Sequence, residues 1–130
     1  SQIEGRQAFM QVYRFNLSIL GGMAKGDVEY DADLAAASAN NLLAASKMSN
    51  GAMWPMGSHT EAAGLADVTA AKEAIWSTYP DIADKGKDLT EALTAMAAVA
   101  GDGLESLRSN MGAVGNGCKG CHESYRLSRD

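Results

Sequence analysis

Leu104, Leu107, Met111, Val114, Cys118, Cys121 and Tyr125 follow one another at alternating intervals of three and four. That spacing is one face of an α-helix. It runs from about Leu104 to Leu127 and carries the only two cysteines of the chain on that face. Gly115 and Gly117 lower the helical propensity of the segment but leave its register intact. A chain that ends in such a helix needs other apolar faces to pack against.

Three further blocks supply them. The first spans about Glu4 to Lys25, with Ile3, Arg6, Met10, Tyr13, Leu17, Leu20 and Ala24 at the same spacing and Gly26 as its terminator. Arg6 is the one charge on that face. The second opens behind Asp31, a good N-cap, and runs to about Met48 with mostly alanine as its apolar content. The third starts after Pro80 and ends near Ala100, with Ile82, Leu89, Leu93, Met96 and Ala100 as its apolar set. Between the second and third lies a long connection, from Ser49 to about Thr69, rich in glycine and holding Met53, Trp54, Met56 and His59. Part of it is expected to pack onto the core, and a short helical piece is expected at 70–77. Gly101-Asp102-Gly103 makes a tight break before the last block. The expected fold is all-α: an antiparallel up-and-down four-helix bundle, forming a single domain over residues 1–130.

The formal net charge of −5 argues against a protein that grips nucleic acid or anionic membrane by electrostatics alone. No apolar run approaches the roughly 20 residues needed to span a bilayer. The sequence opens Ser-Gln-Ile-Glu, with no signal peptide in view. It reads as cytosolic, or as an exported chain after cleavage.

Residues 118–122 read Cys-Lys-Gly-Cys-His. Positions three apart on a helix share a side, so both thiols can reach the two vinyl groups along one edge of a haem. The imidazole of His122 then follows directly and can swing under the iron. This is the c-type attachment pattern, and it predicts one covalently bound haem c per chain. Three other chemistries compete: a redox dithiol, a zinc site that would need His59 as well as His122, and a plain disulfide. A haem attached in this way favours the bacterial periplasm, with the signal peptide removed.

The motif lies near the C-terminus, and here the chain resembles the cytochrome c′ family along its whole length. The resemblance is carried by Arg6-Gln7 with an apolar residue four later, Met23-Ala24-Lys25-Gly26, Tyr30-Asp31-Ala32, Ala74-Ile75-Trp76, and the stretch from Cys118 to Arg126. It implies a haem in the bundle interior near the C-terminal helix. Cys118 and Cys121 would be the thioether anchors and His122 the proximal ligand, with Arg126 one turn further on beside it. Arg6 would pair with a haem propionate, a role that also suits a lone cation on an apolar stripe; the plainer alternative is that Arg6 reaches out to solvent. Gln7 falls in the same cofactor-binding stretch. Met10 would cover the distal face without coordinating.

The resemblance implies a five-coordinate, high-spin iron that takes NO and CO, binds O₂ poorly, and serves NO sequestration or tolerance. It allows NO to push Met10 aside, and even to replace His122 with Arg126 nearby. A second reading is a low-spin electron-transfer cytochrome of the c-556 type with Met10 as sixth ligand. No paired acid–base constellation or phosphate loop points to an enzyme, and His59 is expected to lie in solvent. Family members commonly form homodimers through their first two helices. Ala35, Ala36, Ala39 and Ala44 could supply such a surface or face the chain's own core. A redox partner is expected but unidentified.

Overall fold

The fold follows from a computed structural model that describes residues 1–128; the last two positions of the expected 1–130 domain lie outside the described residues. Five α-helices form: α1 (Gln2–Lys25), α2 (Ala32–Lys47), α3 (Ala74–Ser77), α4 (Asp81–Val99) and α5 (Leu104–Tyr125), with a 3₁₀ turn at Gly51–Met53. The four long helices make an up-and-down bundle in which α1 packs on α2, α2 on α4, α4 on α5, and α5 back on α1.

Local chemistry sets the helix ends. Gly26 stops α1 in the left-handed conformation (φ 80°), and its N–H donates back to Gly22 and Met23. Asp31 caps α2 by accepting from the Leu34 N–H at 3.0 Å. Tyr30 locks the end of the bundle where these turns lie. Its hydroxyl donates to the Ala100 carbonyl at 2.6 Å and accepts from the Gly103 N–H at 3.0 Å.

Leu20, Met23, Ala35, Ala39, Leu42, Leu93, Met96, Ala100, Leu107 and Val114 form the main core. Full burial of each leucine side chain contributes about 1.5–3 kcal/mol. Ala35 and Ala39 are wholly buried inside the chain's own bundle. Of the four alanines considered as an outer surface, these two therefore belong to the core, Ala36 is partly buried, and Ala44 alone is exposed. On α1 the buried line runs through Arg6, Phe9, Asn16, Leu20 and Met23. It is turned about one residue from the expected face, so Met10 sits at its edge, 39% exposed.

The opposite end of the bundle is where the connection from α2 to α4 lies. The start of α1, the end of α2, the start of α4 and the end of α5 all meet there. A second apolar cluster forms at this end from Ala71, Ile75 and Tyr125, with Trp54, Ala74, Trp76, Ile82 and Cys121 packed around them. The helical piece expected at 70–77 is shorter than its pattern. Ala71 instead forms an antiparallel bridge with Arg126, and α3 begins at Ala74. The same bridge ends α5 at Tyr125, because Leu127 N–H donates to the Ala70 carbonyl at 2.7 Å instead of continuing the helix.

Candidate functional site

Helix α5 brings Cys118, Cys121 and His122 to this end of the bundle, each partly buried. Burial pushes both thiols above the ordinary cysteine range. At Cys121, Lys85 opposes that shift, while Cys118 and Asp81 add to it. A redox dithiol needs the reverse, a thiolate stabilised by its surroundings. The two thiols are free in this structure. Among the described residues, no three His, Cys, Asp or Glu side chains converge as a metal-ion site. These observations weigh against the dithiol, disulfide and zinc readings.

The imidazole of His122 is held below the usual histidine range, first by burial and then by the nearby Arg126 guanidinium. A neutral ring is the form that binds a metal. Arg126 is not a helical residue. It caps α5 in an extended conformation, its N–H donating to the His122 carbonyl at 3.1 Å. Arg126 thus influences His122 from a capping position and not from a further helical turn.

The phenol of Tyr13, on α1, is pushed up to about 12 by burial and by the neighbouring Cys118. Its ring meets Phe9 edge-on at 5.0 Å. On the far side of the site, the Tyr125 hydroxyl donates to Asp81 and lies 3.0 Å from Thr78 Oγ1. Trp76 donates through Nε1 to the Trp54 carbonyl at 3.1 Å. Rings from α1, the connection, α3 and α5 thus surround the thiol-bearing end of α5.

Arg6 is only 2% exposed, which rules out the solvent-reaching alternative. Its guanidinium donates to the Met53 carbonyl (3.3 Å), Ser58 Oγ (2.7 Å), the Ser58 carbonyl (2.5 Å) and Thr69 Oγ1 (3.0 Å). It also lies 4.7 Å above the Trp54 ring. Every one of these acceptors is neutral. Gln7 holds the same connection, donating to the Val68 carbonyl at 2.8 Å.

The expectation for His59 needs correction. It is half-buried against Trp76, with ring centroids 5.9 Å apart, and its Nδ1 is fully shielded without a hydrogen-bond partner among the described residues. The glycine-rich connection folds over the end of the bundle and takes the imidazole with it.

The residues missed by sequence reasoning are Tyr13, Trp54, Ser58, Thr69, Trp76 and Tyr125 as parts of one site. Tyr13 and Tyr125 were visible as members of apolar stripes. Nothing in the periodicity could place the two tryptophans together, since the connection has none.

The sequence model of the family described as Cytochrome C′ matches residues 1–126. The chain belongs to the cytochrome c′ family. A cytochrome c-554 from Cereibacter sphaeroides is 42% identical over 124 residues, covering 95% of this chain and 91% of the relative. The solved structure of a cytochrome c′ from Rhodobacter spheriodes superposes with a TM-score of 0.92 at 32% identity, covering 98% of this chain and 96% of the other. A cytochrome c′ described as having an unusual ligand-controlled dimer dissociation superposes with a TM-score of 0.86 at 27% identity, covering 98% and 95%.

Members of the cytochrome c′ family carry haem c, and so does this chain, which has two cysteines for the covalent attachment. The donor set suits that group. It offers two protonated thiols three residues apart, a neutral imidazole directly after them, aromatic walls, and a buried cation with no carboxylate partner among the described residues.

Proposed function

We propose that this chain is a periplasmic c-type haem protein that binds NO and CO, and that it serves NO sequestration or tolerance rather than catalysis. In this reading residues 1–130 act as one domain. Cys118 and Cys121 hold the haem by thioether bonds, His122 binds the iron, and Arg126 biases that imidazole. Arg6 answers the charge of a propionate, Gln7 fixes the connection around Arg6, and Met10 shields the other side of the iron. When bound, the haem supplies an iron centre that changes redox state and accepts small diatomic ligands.

One observation carries the gas-binding reading. Three polar side chains of α1, those of Arg6, Gln7 and Asn16, are already committed. Arg6 donates to the connection, Gln7 to the Val68 carbonyl, and Asn16 donates to the Val12 carbonyl while accepting from Asn41. Met10 lies one helical turn before Tyr13, whose phenol neighbours Cys118. The side chain that this reading places over the iron, Met10, is apolar. Such a side chain admits uncharged gases and donates no hydrogen bond to bound O₂, so NO and CO are favoured.

The competing reading, a low-spin Met/His electron-transfer cytochrome, draws on the same residue. At 39% exposure Met10 is not locked into the core, and a thioether on three rotatable bonds could turn onto the metal. The ferric optical and EPR spectra decide. A high-spin spectrum without the near-infrared sulfur-to-iron charge-transfer band, followed by NO uptake in the ferrous form, supports gas binding. A low-spin spectrum with that band overturns it and leaves electron transfer. Met10→Ala should raise CO affinity if Met10 is a shield, and should change the spin state if it is a ligand.

We further propose a homodimer through α1 and α2. Val12, Phe15, Ile19 and Gly22 succeed one another along a second face of α1, and Val12 and Phe15 are 50% and 66% exposed. This face leads into an apolar groove of about 440 Å³ lined by Ile19, Met23, Val28 and Leu34. Large exposed apolar side chains grouped in this way mark an association surface.

A further inference from the structure

His122 lies in the last turn of α5, whose final residue is Tyr125. The last carbonyls of a helix have no donors within it, so a terminal turn frays unless other groups hold it. A residue that binds a metal from such a turn needs that support, because the orientation of a ligand is set by what holds its surroundings. Tyr125 supplies it through both its side chain and its backbone. The hydroxyl donates to Asp81, the first residue of α4, and lies 3.0 Å from Thr78 Oγ1 at the end of α3. The carbonyl accepts from the Lys72 N–H at 2.9 Å. The ring is buried in the apolar cluster against which Cys121, one helical turn earlier, also packs. One residue therefore ties the turn that bears His122 to the connection, to α3 and to α4.

We infer that Tyr125 is a positioning residue for His122: its hydroxyl, held by Asp81 and Thr78, fixes the last turn of α5 and with it the orientation of the imidazole on the iron. Tyr30 provides the contrast with a lock on the fold alone. Its hydroxyl makes a comparable pair of hydrogen bonds, to Ala100 and Gly103, at the opposite end of the bundle. Both tyrosines join separate elements, but of the two it is Tyr125 that does so in the turn of the ligand. The inference rests on haem attachment and on His122 as the ligand, and not on which gas, if any, the iron binds.

The test is paramagnetic proton NMR of the ferric, haem-loaded protein. The hyperfine-shifted β-CH₂ resonances of His122 report the orientation of the ring on the iron, in a high-spin and a low-spin state alike. Tyr125→Phe keeps the ring in the apolar cluster and removes the hydroxyl, and we expect these resonances to shift and broaden. Tyr30→Phe should lower the unfolding temperature and leave them in place. Asp81→Ala should reproduce the shift of Tyr125→Phe, whereas Asp81→Asn should stay close to the wild type, because its amide oxygen still accepts. Both Asp81 variants lose the same charge, so the difference between them isolates the hydrogen bond. Unmoved resonances in Tyr125→Phe would overturn the inference. So would an equal shift in Tyr30→Phe, which would mark a general loosening of the bundle, or equal shifts in the two Asp81 variants, which would mark an effect of charge. Should Tyr125→Phe not fold, the Asp81 pair decides on the same signals. A wild type without any iron-shifted histidine resonance would refute His122 as the ligand and the inference with it, a result distinct from resonances that are present and unmoved.

Discussion

Arg6 is a full charge in a nearly dry place, and hydrogen bonds to neutral oxygens only partly offset its desolvation. The acceptors come from Met53, Ser58 and Thr69, so this one side chain ties the connection to α1. Arg6→Ala should destabilise the holoprotein by about 2–4 kcal/mol in urea unfolding, by orphaning those acceptors. Arg6→Lys should recover only a minor part, because an ammonium cannot reproduce the planar fork; equal stability of the two variants would refute this account. Tyr13 makes the second prediction at this scale. Its phenol is raised from 10.0 to about 12 in the fold, first by burial, which persists when Cys118 is a thioether, so the folded state prefers the neutral ring. The resulting stability is fully present below pH 10 and is lost as pH rises toward about 12. Tyr13→Phe should match the wild type at neutral pH and flatten that alkaline decline. If the decline is as steep in the variant, other groups cause it. The sequence showed Arg6 as an anomaly, a cation on an apolar stripe, and that anomaly led to the site. It could not show that the stripe is turned by a residue, because which side of α1 is buried depends on how α2 and α5 close around it.

Among the helices, α5 was the most legible and also carries the chemistry. Its stripe runs unbroken from Leu104 to Tyr125, and the thiols fall on it, so both the element and its motif could be read together. The glycines within it are not equivalent. A β-carbon at Gly117 would lie 3.0 Å from Leu89 Cδ1 and 3.2 Å from Leu89 Cα, whereas one at Gly115 meets nothing within 4 Å. Gly117 lets α4 approach α5 directly before Cys118; Gly115 only weakens the helix. Gly117→Ala should therefore cost about 1–3 kcal/mol through overpacking, and Gly115→Ala should gain up to about 1 kcal/mol from propensity. Thermal unfolding of the two holoproteins checks this, and a stabilised Gly117→Ala would refute the close-approach argument. The end of α5 was less legible. Arg126 continues the helical pattern by spacing, yet it leaves the helix to bridge Ala71, a partner far away in sequence that periodicity cannot reveal.

At the scale of the whole molecule, the bundle was readable because four stripes with short turns at one end admit few arrangements. The site at the other end was only half readable. It is assembled from the connection between α2 and α4, where tertiary contacts decide the conformation. The outer surface follows another logic. The alanines of α2 could have faced inward or outward, and the core took Ala35 and Ala39. Val12 and Phe15 of α1, with Leu34 of α2 44% exposed, are among the large apolar side chains left on the outside. An isologous pairing would bring this face of each copy against the same face of the other. Phe15→Glu would place a carboxylate at the middle of that surface in both copies at once, so its effect is doubled by symmetry. We expect the wild-type holoprotein to sediment as a dimer at micromolar concentration, with an unfolding temperature that rises with concentration. Phe15→Glu should sediment as a monomer with an unchanged visible spectrum, since Phe15 lies outside the haem site. A wild type that stays monomeric throughout, or a Phe15→Glu dimer as tight as the parent, would show that this face serves something other than a second copy.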